Sequence, residues 1–98
     1  MSVTTIKKTD DVRTSILTAA ISHYGTGAQL LKAIEELGEL IQALAKSDRD
    51  NIAEEMADVR IMLDQLEIMF GNGAEVREWE LKKLKRLDER VHTADVVG

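Results

Sequence analysis

The chain of 98 residues carries 18 acidic side chains against 13 basic ones, with six glycines, no proline and no cysteine. That length allows one small domain, and the missing cysteines remove disulfides, thiolate zinc sites and cysteine nucleophiles together. A net charge of −5 runs against a grip on nucleic-acid phosphates; with no membrane-length apolar stretch and no apolar run after the first charges, a soluble cytoplasmic protein without nucleic-acid or membrane partners is expected.

Runs of Leu, Ile, Ala, Glu and Lys, only three aromatics and no proline suit helices rather than strands. Three breaks, Gly25-Thr26-Gly27, Ser47-Asp48-Arg49-Asp50 and Gly71-Asn72-Gly73, divide the chain into four periodic segments. The reading is all-α, with helices near 10–24, 28–46, 51–70 and 74–92. Residues 1–9 and 93–98 are expected to be flexible ends of a single domain over 10–92. Thr26 with Gln29, Asn51 with Glu54 and Asn72 with Glu75 have capping-box spacing and mark the starts of the last three helices.

The second helix presents Leu30, Ile34, Leu37, Ile41 and Leu44, at steps of four and three, as one apolar stripe. The third does the same with Ile52, Met56, Val59, Leu63, Leu66 and Phe70. Joined by a short loop, the two should form an antiparallel hairpin. A second apolar set on the third helix, Ala57, Ile61, Ile68 and Met69, calls for cover on another side. In so short a chain that cover is expected from a second copy.

Four acids do not fit this pattern. Glu36 and Glu39 are neighbours on the second helix, where like charges repel, and Glu55 and Asp58 repeat the spacing on the third, beside its apolar stripe. In an antiparallel hairpin the two pairs face each other. Singly, each reads as an ordinary acid on a solvated face; four converging acids persist when they hold a metal. All-oxygen ligation selects hard cations, Mg²⁺ or Mn²⁺, over zinc. Mg²⁺ bound this way keeps waters and accepts substrate phosphates. Lys32, one turn before Glu36, is placed to neutralise the cluster.

The fourth helix carries the opposite anomaly. Trp79, Lys83, Arg86 and Arg90 form a ridge, and Lys83 and Arg90 fall near the line of Val76 and Leu87. These cations either snorkel past a core edge or hold phosphate oxygens.

Glu35-Glu36-Leu37-Gly38-Glu39 followed by Glu55-Met56-Ala57-Asp58 resembles the EExxE and ExxD signature of the MazG-type nucleotide pyrophosphohydrolases, members of the all-α NTP pyrophosphatase superfamily. The resemblance runs from about Gly25 to Arg90 and includes the closing Lys83-Leu84-Lys85-Arg86-Leu87-Asp88-Glu89-Arg90. It implies a four-helix MazG-like bundle completed by dimerisation, as a dimer or a dimer of dimers. It also implies hydrolysis of nucleoside triphosphates to the monophosphate and pyrophosphate, in nucleotide-pool housecleaning. By the same resemblance Glu36, Glu39, Glu55 and Asp58 are the Mg²⁺ ligands, one of them also the base for the attacking water, with Glu35 behind them; Glu39 is preferred as that base for its central place in the motif, and Lys32 supports the cluster by its spacing. Lys83, Arg86 and Arg90 would steady the phosphates, and His23 and Tyr24 would line the base pocket. The segment after Asp58 departs from the family in lacking the Tyr and Asn that several members place there, which bears on base and sugar preference. Two other readings are phosphoribosyl-ATP pyrophosphohydrolase, within the superfamily, and a non-catalytic dimeric helical interaction module.

Overall fold

The computed structural model describes the backbone of residues 3–97 and the side chains of residues 11–93. The four expected helices form: α1 (Val3–Tyr24), α2 (Thr26–Lys46), α3 (Arg49–Phe70) and α4 (Gly73–Val97), with no strand among the described residues. The two outer helices run past the expected limits near 10 and 92, because residues 3–9 and 93–97 contain no Gly or Pro to stop them. The expectation of flexible ends at 1–9 and 93–98 falls mostly on side chains outside the described residues.

The joints are tight. Gly25 sits at φ 92° and Gly71 at φ 62°, a left-handed region that glycine enters without a Cβ penalty. Ser47 closes α2 in the same region, with its N–H on the Leu44 carbonyl. The helix starts differ from the expected capping boxes. Thr26 and Asn51 lie inside their helices; the caps are Gly25, without a side-chain bond, and Asp48, whose carboxylate accepts the Asn51 N–H at 3.4 Å. An aspartate before a first turn satisfies an orphan N–H and meets the positive end of the helix dipole, so α3 begins at Arg49. Asn72 contributes its backbone carbonyl to the Val76 N–H at 2.9 Å, while its Oδ1 is buried without a partner.

Helices α2 and α3 make the principal pairing, α1 lies against both, and among the described residues α4 touches only α3. Arg13 of α1 grips Asp64 of α3 through two nitrogens at 2.9 and 2.7 Å. Every described residue of α4 from Ala74 on is exposed. The radius of gyration is 17.2 Å, against about 13 Å for a compact domain of this length. The excess is the signature of a helix that leaves the body of the molecule.

The seam between α2 and α3 is small and polar. On α2 the buried residues are Gln29, Ala33, Glu36 and Ala43; on α3 they are Glu55, Val59, Met62 and Gln65. The expected α2 stripe is therefore not in the chain's own core: Leu30, Ile34, Leu37, Ile41 and Leu44 are all exposed, and Met56, Leu63 and Phe70 of the α3 stripe join them. The physical reason is a rotation of about 90° on the helical wheel, which turns the small residues and carboxylates inward. Five apolar side chains are buried among the described residues, while twenty large ones face solvent. Large apolar side chains exposed in such number are a feature of surfaces that meet a partner.

Candidate metal centre

The hairpin brings the two acidic motifs together. One carboxylate oxygen from each of Glu36, Glu55 and Asp58 lies within 4.8 Å of the other two, and Glu35, Glu36 and Glu39 form a second such group. Glu36 belongs to both and sits at the centre. It is buried, as is Glu55, while Glu39 and Asp58 are half-buried and Glu35 is exposed. Burial follows from position: Glu36 falls one turn after Ala33 on the seam of α2, and Glu55 one turn before Val59 on the seam of α3. The small Ala33 and Ala43 let the two backbones approach closely enough for the acids to meet.

Each carboxylate answers to a different neighbour. Lys32 Nζ stands 3.0 Å from Glu36 Oε1 and 3.8 Å from Glu35 Oε1. That hydrogen bond holds the Glu36 carboxyl below the ordinary carboxylate range and the Lys32 ammonium above its own. Glu55 has no such cation. Burial first, then the charges of Glu39, Glu36 and Asp58, push its carboxyl up to about 7. The charge of Glu36 raises Glu39 as well. The site therefore stores like-charge repulsion around Glu55.

Two buried oxygens, Glu36 Oε2 and Glu55 Oε2, have no hydrogen-bond donor. A buried carboxylate oxygen without a partner is costly, and a cation between the two helices would satisfy both. The donor set is oxygen only, which fits a hard divalent cation. Glu36, Glu55 and Asp58, with Glu39 beside Glu36, thus form an acidic cluster whose oxygens could hold a cation, with Lys32 occupying the remaining Glu36 oxygen.

Beside the carboxylates opens a cleft of about 590 Å³ lined on one edge by Lys32, Glu36 and Asp58. Tyr24 lines it too, so that part of the expected base pocket lies at the cleft; His23 touches the Tyr24 ring edge-on at 4.6 Å but is not part of the wall. Sequence reasoning passed over the far end of the cleft, where Gln29 and Gln65 are buried and joined by a 2.7 Å hydrogen bond from Gln29 Nε2 to Gln65 Oε1. Their signal was spacing: Gln29 lies one turn before Ala33 and Gln65 one turn after Met62, on the buried faces. Lys83, Arg86 and Arg90 lie on the exposed outer part of α4; among the described residues none makes an ion pair, and one chain does not bring them against the carboxylates.

Residues 26–68 match the family model of the MazG nucleotide pyrophosphohydrolase domain. The matched stretch is the α2–α3 hairpin, which holds all four clustered acids and both glutamines. No curated protein and no solved structure matches the chain. No helix among the described residues is long and apolar enough to cross a membrane.

Proposed function

With the hairpin over residues 26–68 belonging to the MazG nucleotide pyrophosphohydrolases as premise, we propose that this protein is a Mg²⁺-dependent nucleoside triphosphate pyrophosphohydrolase. It cleaves the bond between the α and β phosphates, releasing the nucleoside monophosphate and pyrophosphate, and serves nucleotide-pool housecleaning in the cytoplasm. The observation that carries this reading is the pair of orphaned buried oxygens, Glu36 Oε2 and Glu55 Oε2, inside two overlapping carboxylate groups that share Glu36.

Glu36, Glu39, Glu55 and Asp58 would hold the cation, with Mn²⁺ an acceptable substitute for Mg²⁺. When bound, the cation supplies Lewis acidity and neutralises the charge of the phosphates. Lys32 and Glu35 belong to the protein's side of the site: Lys32 keeps Glu36 ionised, and Glu35 shares that lysine. Glu39, half-buried and central in its motif, is the carboxylate we assign to take a proton from the attacking water. Tyr24 and the cleft beside it receive the nucleoside, with His23 behind it. The second copy is part of the reading: the exposed stripe Leu30, Ile34, Leu37, Ile41 and Leu44 is the face on which a homodimer, or a dimer of dimers, forms. Assembly would bring the α4 cations Lys83, Arg86 and Arg90 into use on the phosphate chain.

The test is release of pyrophosphate from a panel of ribo- and deoxyribonucleoside triphosphates with Mg²⁺. Turnover that is lost in Glu36→Gln and Asp58→Asn, with helicity intact, is expected. Wild-type protein that cleaves no member of the panel, or variants that keep full turnover, would overturn the assignment.

A further inference from the structure

Three facts about Gln29 and Gln65 point beyond a structural role. Both are nearly fully buried, at 7% and 4% exposure, yet both line the open cleft that ends at Lys32, Glu36 and Asp58. Their amides bond each other at 2.7 Å, and the only further contact of the pair among the described residues is a weak one, Gln65 Nε2 to the Met62 sulfur at 3.8 Å. Gln29 Oε1 therefore has an unused acceptor and Gln65 Nε2 a donor with nothing stronger than sulfur. A buried polar pair costs stability over an apolar one unless its remaining groups are satisfied.

The position is informative. Gln29 precedes Glu36 by seven residues and Gln65 follows Asp58 by seven, so on antiparallel helices the amide pair lies two turns, about 10 Å, along the seam from the carboxylates. That separation is comparable with the span of a nucleoside from its 5′-phosphate to the edge of its base. The rest of the cleft is lined by Ala20 and Tyr24 of α1, Ala28 of α2 and Ile61 and Met62 of α3, small and largely apolar groups beside which a flat ring can lie.

We propose that the Gln29–Gln65 amide pair is the base-reading end of the cleft, presenting one acceptor and one donor to a nucleobase edge that carries a donor and an acceptor side by side. This rests on the pyrophosphohydrolase reading above and assigns its base specificity to two residues outside the metal-binding motifs. A site built to hydrogen-bond its substrate rejects analogues that leave its buried polar groups unpaired, so the pair sets selectivity between bases, with no part in the bond cleavage.

The experiment measures kcat/KM for a full set of nucleoside triphosphates with wild-type protein, Gln65→Leu and Gln65→Glu. Leucine removes donor and acceptor; glutamate keeps the bond from Gln29 Nε2 and exchanges the free donor for an acceptor. The expected result is a wild-type preference among bases of about tenfold or more. Gln65→Leu flattens it, and Gln65→Glu re-ranks it towards bases with amino donors on that edge. Where Gln65→Leu fails to fold, judged by circular dichroism, the glutamate variant decides. A wild type indifferent to the base, or variants that retain the wild-type ranking, would overturn the proposal while leaving the pyrophosphohydrolase reading intact. A wild type that cleaves nothing removes both.

Discussion

Lys32 Nζ lies 3.0 Å from Glu36 Oε1, so the most central acid of the cluster is neutralised on one oxygen and left without a partner on the other. Under the proposed function, this splits the labour of a single carboxylate between a resident lysine and an incoming cation. Lys32→Met should lower the melting temperature of protein kept in chelator, because Glu36 then sits buried among Glu35, Glu39, Glu55 and Asp58 with no positive neighbour. Adding Mg²⁺ should recover most of the loss, making the cation-induced shift larger than in wild type. Thermal denaturation with and without chelator reads this directly; an unchanged chelated melting temperature would show that the 3.0 Å contact has no structural weight.

Glu55 governs the pH behaviour of the cation-free protein. Its carboxyl is raised to about 7 by burial and by Glu39, Glu36 and Asp58, so its contribution to stability is fully present below the ordinary carboxylate value of 4.5 and is lost as pH rises through about 7. Glu39 is displaced in the same direction. Glu36, held low by Lys32, has the opposite sign: its contribution is present above the ordinary value and is lost as pH falls through its lowered one. Between pH 5 and 8 the Glu55 effect dominates. Chelated wild type should therefore melt at lower temperature at pH 8 than at pH 5.5, and Glu55→Gln should weaken that slope. Mg²⁺ should raise the melting temperature more at pH 8, where it displaces no proton, and a shift equal at both pH values would refute the assignment.

Removing a ligand should uncouple fold from cation. A ligand bound only by the folded state, at 100 times its Kd, stabilises by about 2.7 kcal/mol, on the order of 10 °C for a domain of this size. Asp58→Asn should retain the helices and lose most of that shift, measured by circular dichroism melts across a Mg²⁺ titration. An undiminished shift would place the cation elsewhere.

The hairpin and its acids were legible because they need only local spacing: a step of three between acids on each helix and a short joint between the helices. Where the apolar stripe points was not. Leu30, Ile34, Leu37, Ile41 and Leu44 have the periodicity of a core face, and periodicity cannot say whose core. In the chain they face out, and Gln29, Ala33, Glu36 and Ala43 face in. Gln29, read from spacing as the capping partner of Thr26, and Gln65 were missed as buried residues for a related reason: a polar residue on a helix is normally solvated, and only their register with the alanines and carboxylates marks them as buried. The cations of α4 were legible as a ridge but not as a position, because among the described residues that helix meets only α3 within one chain.

The outward stripe carries its own prediction. Ile34 and Ile41 are 60% and 67% exposed on the same face of α2. Charged substitutions there cost a monomer little but place unpaired charge inside an isologous interface. Light scattering should find wild type as a dimer or larger, and Ile34→Glu with Ile41→Glu should shift it to monomer or to a dissociating equilibrium. A variant of unchanged mass would mean that this face is not where copies meet.

The last prediction links the packing of the seam to the chemistry of the site. Ala33 and Ala43 are 2% and 0% exposed, and Ala33 lies one turn before Glu36, on the line where α2 meets α3. A larger residue there has no space except between the helices, and overpacking of this kind costs about 1–3 kcal/mol. Ala33→Leu should thus lower the melting temperature, and by forcing α2 from α3 it should also separate Glu36 from Glu55 and Asp58, whose oxygens lie within 4.8 Å. Cation binding should then fall more steeply than stability. Isothermal titration with Mg²⁺ on folded Ala33→Leu, beside a control at exposed Leu31, measures the two losses separately. A folded, destabilised variant with wild-type cation affinity would show that the close approach of the helices is dispensable for the carboxylate cluster.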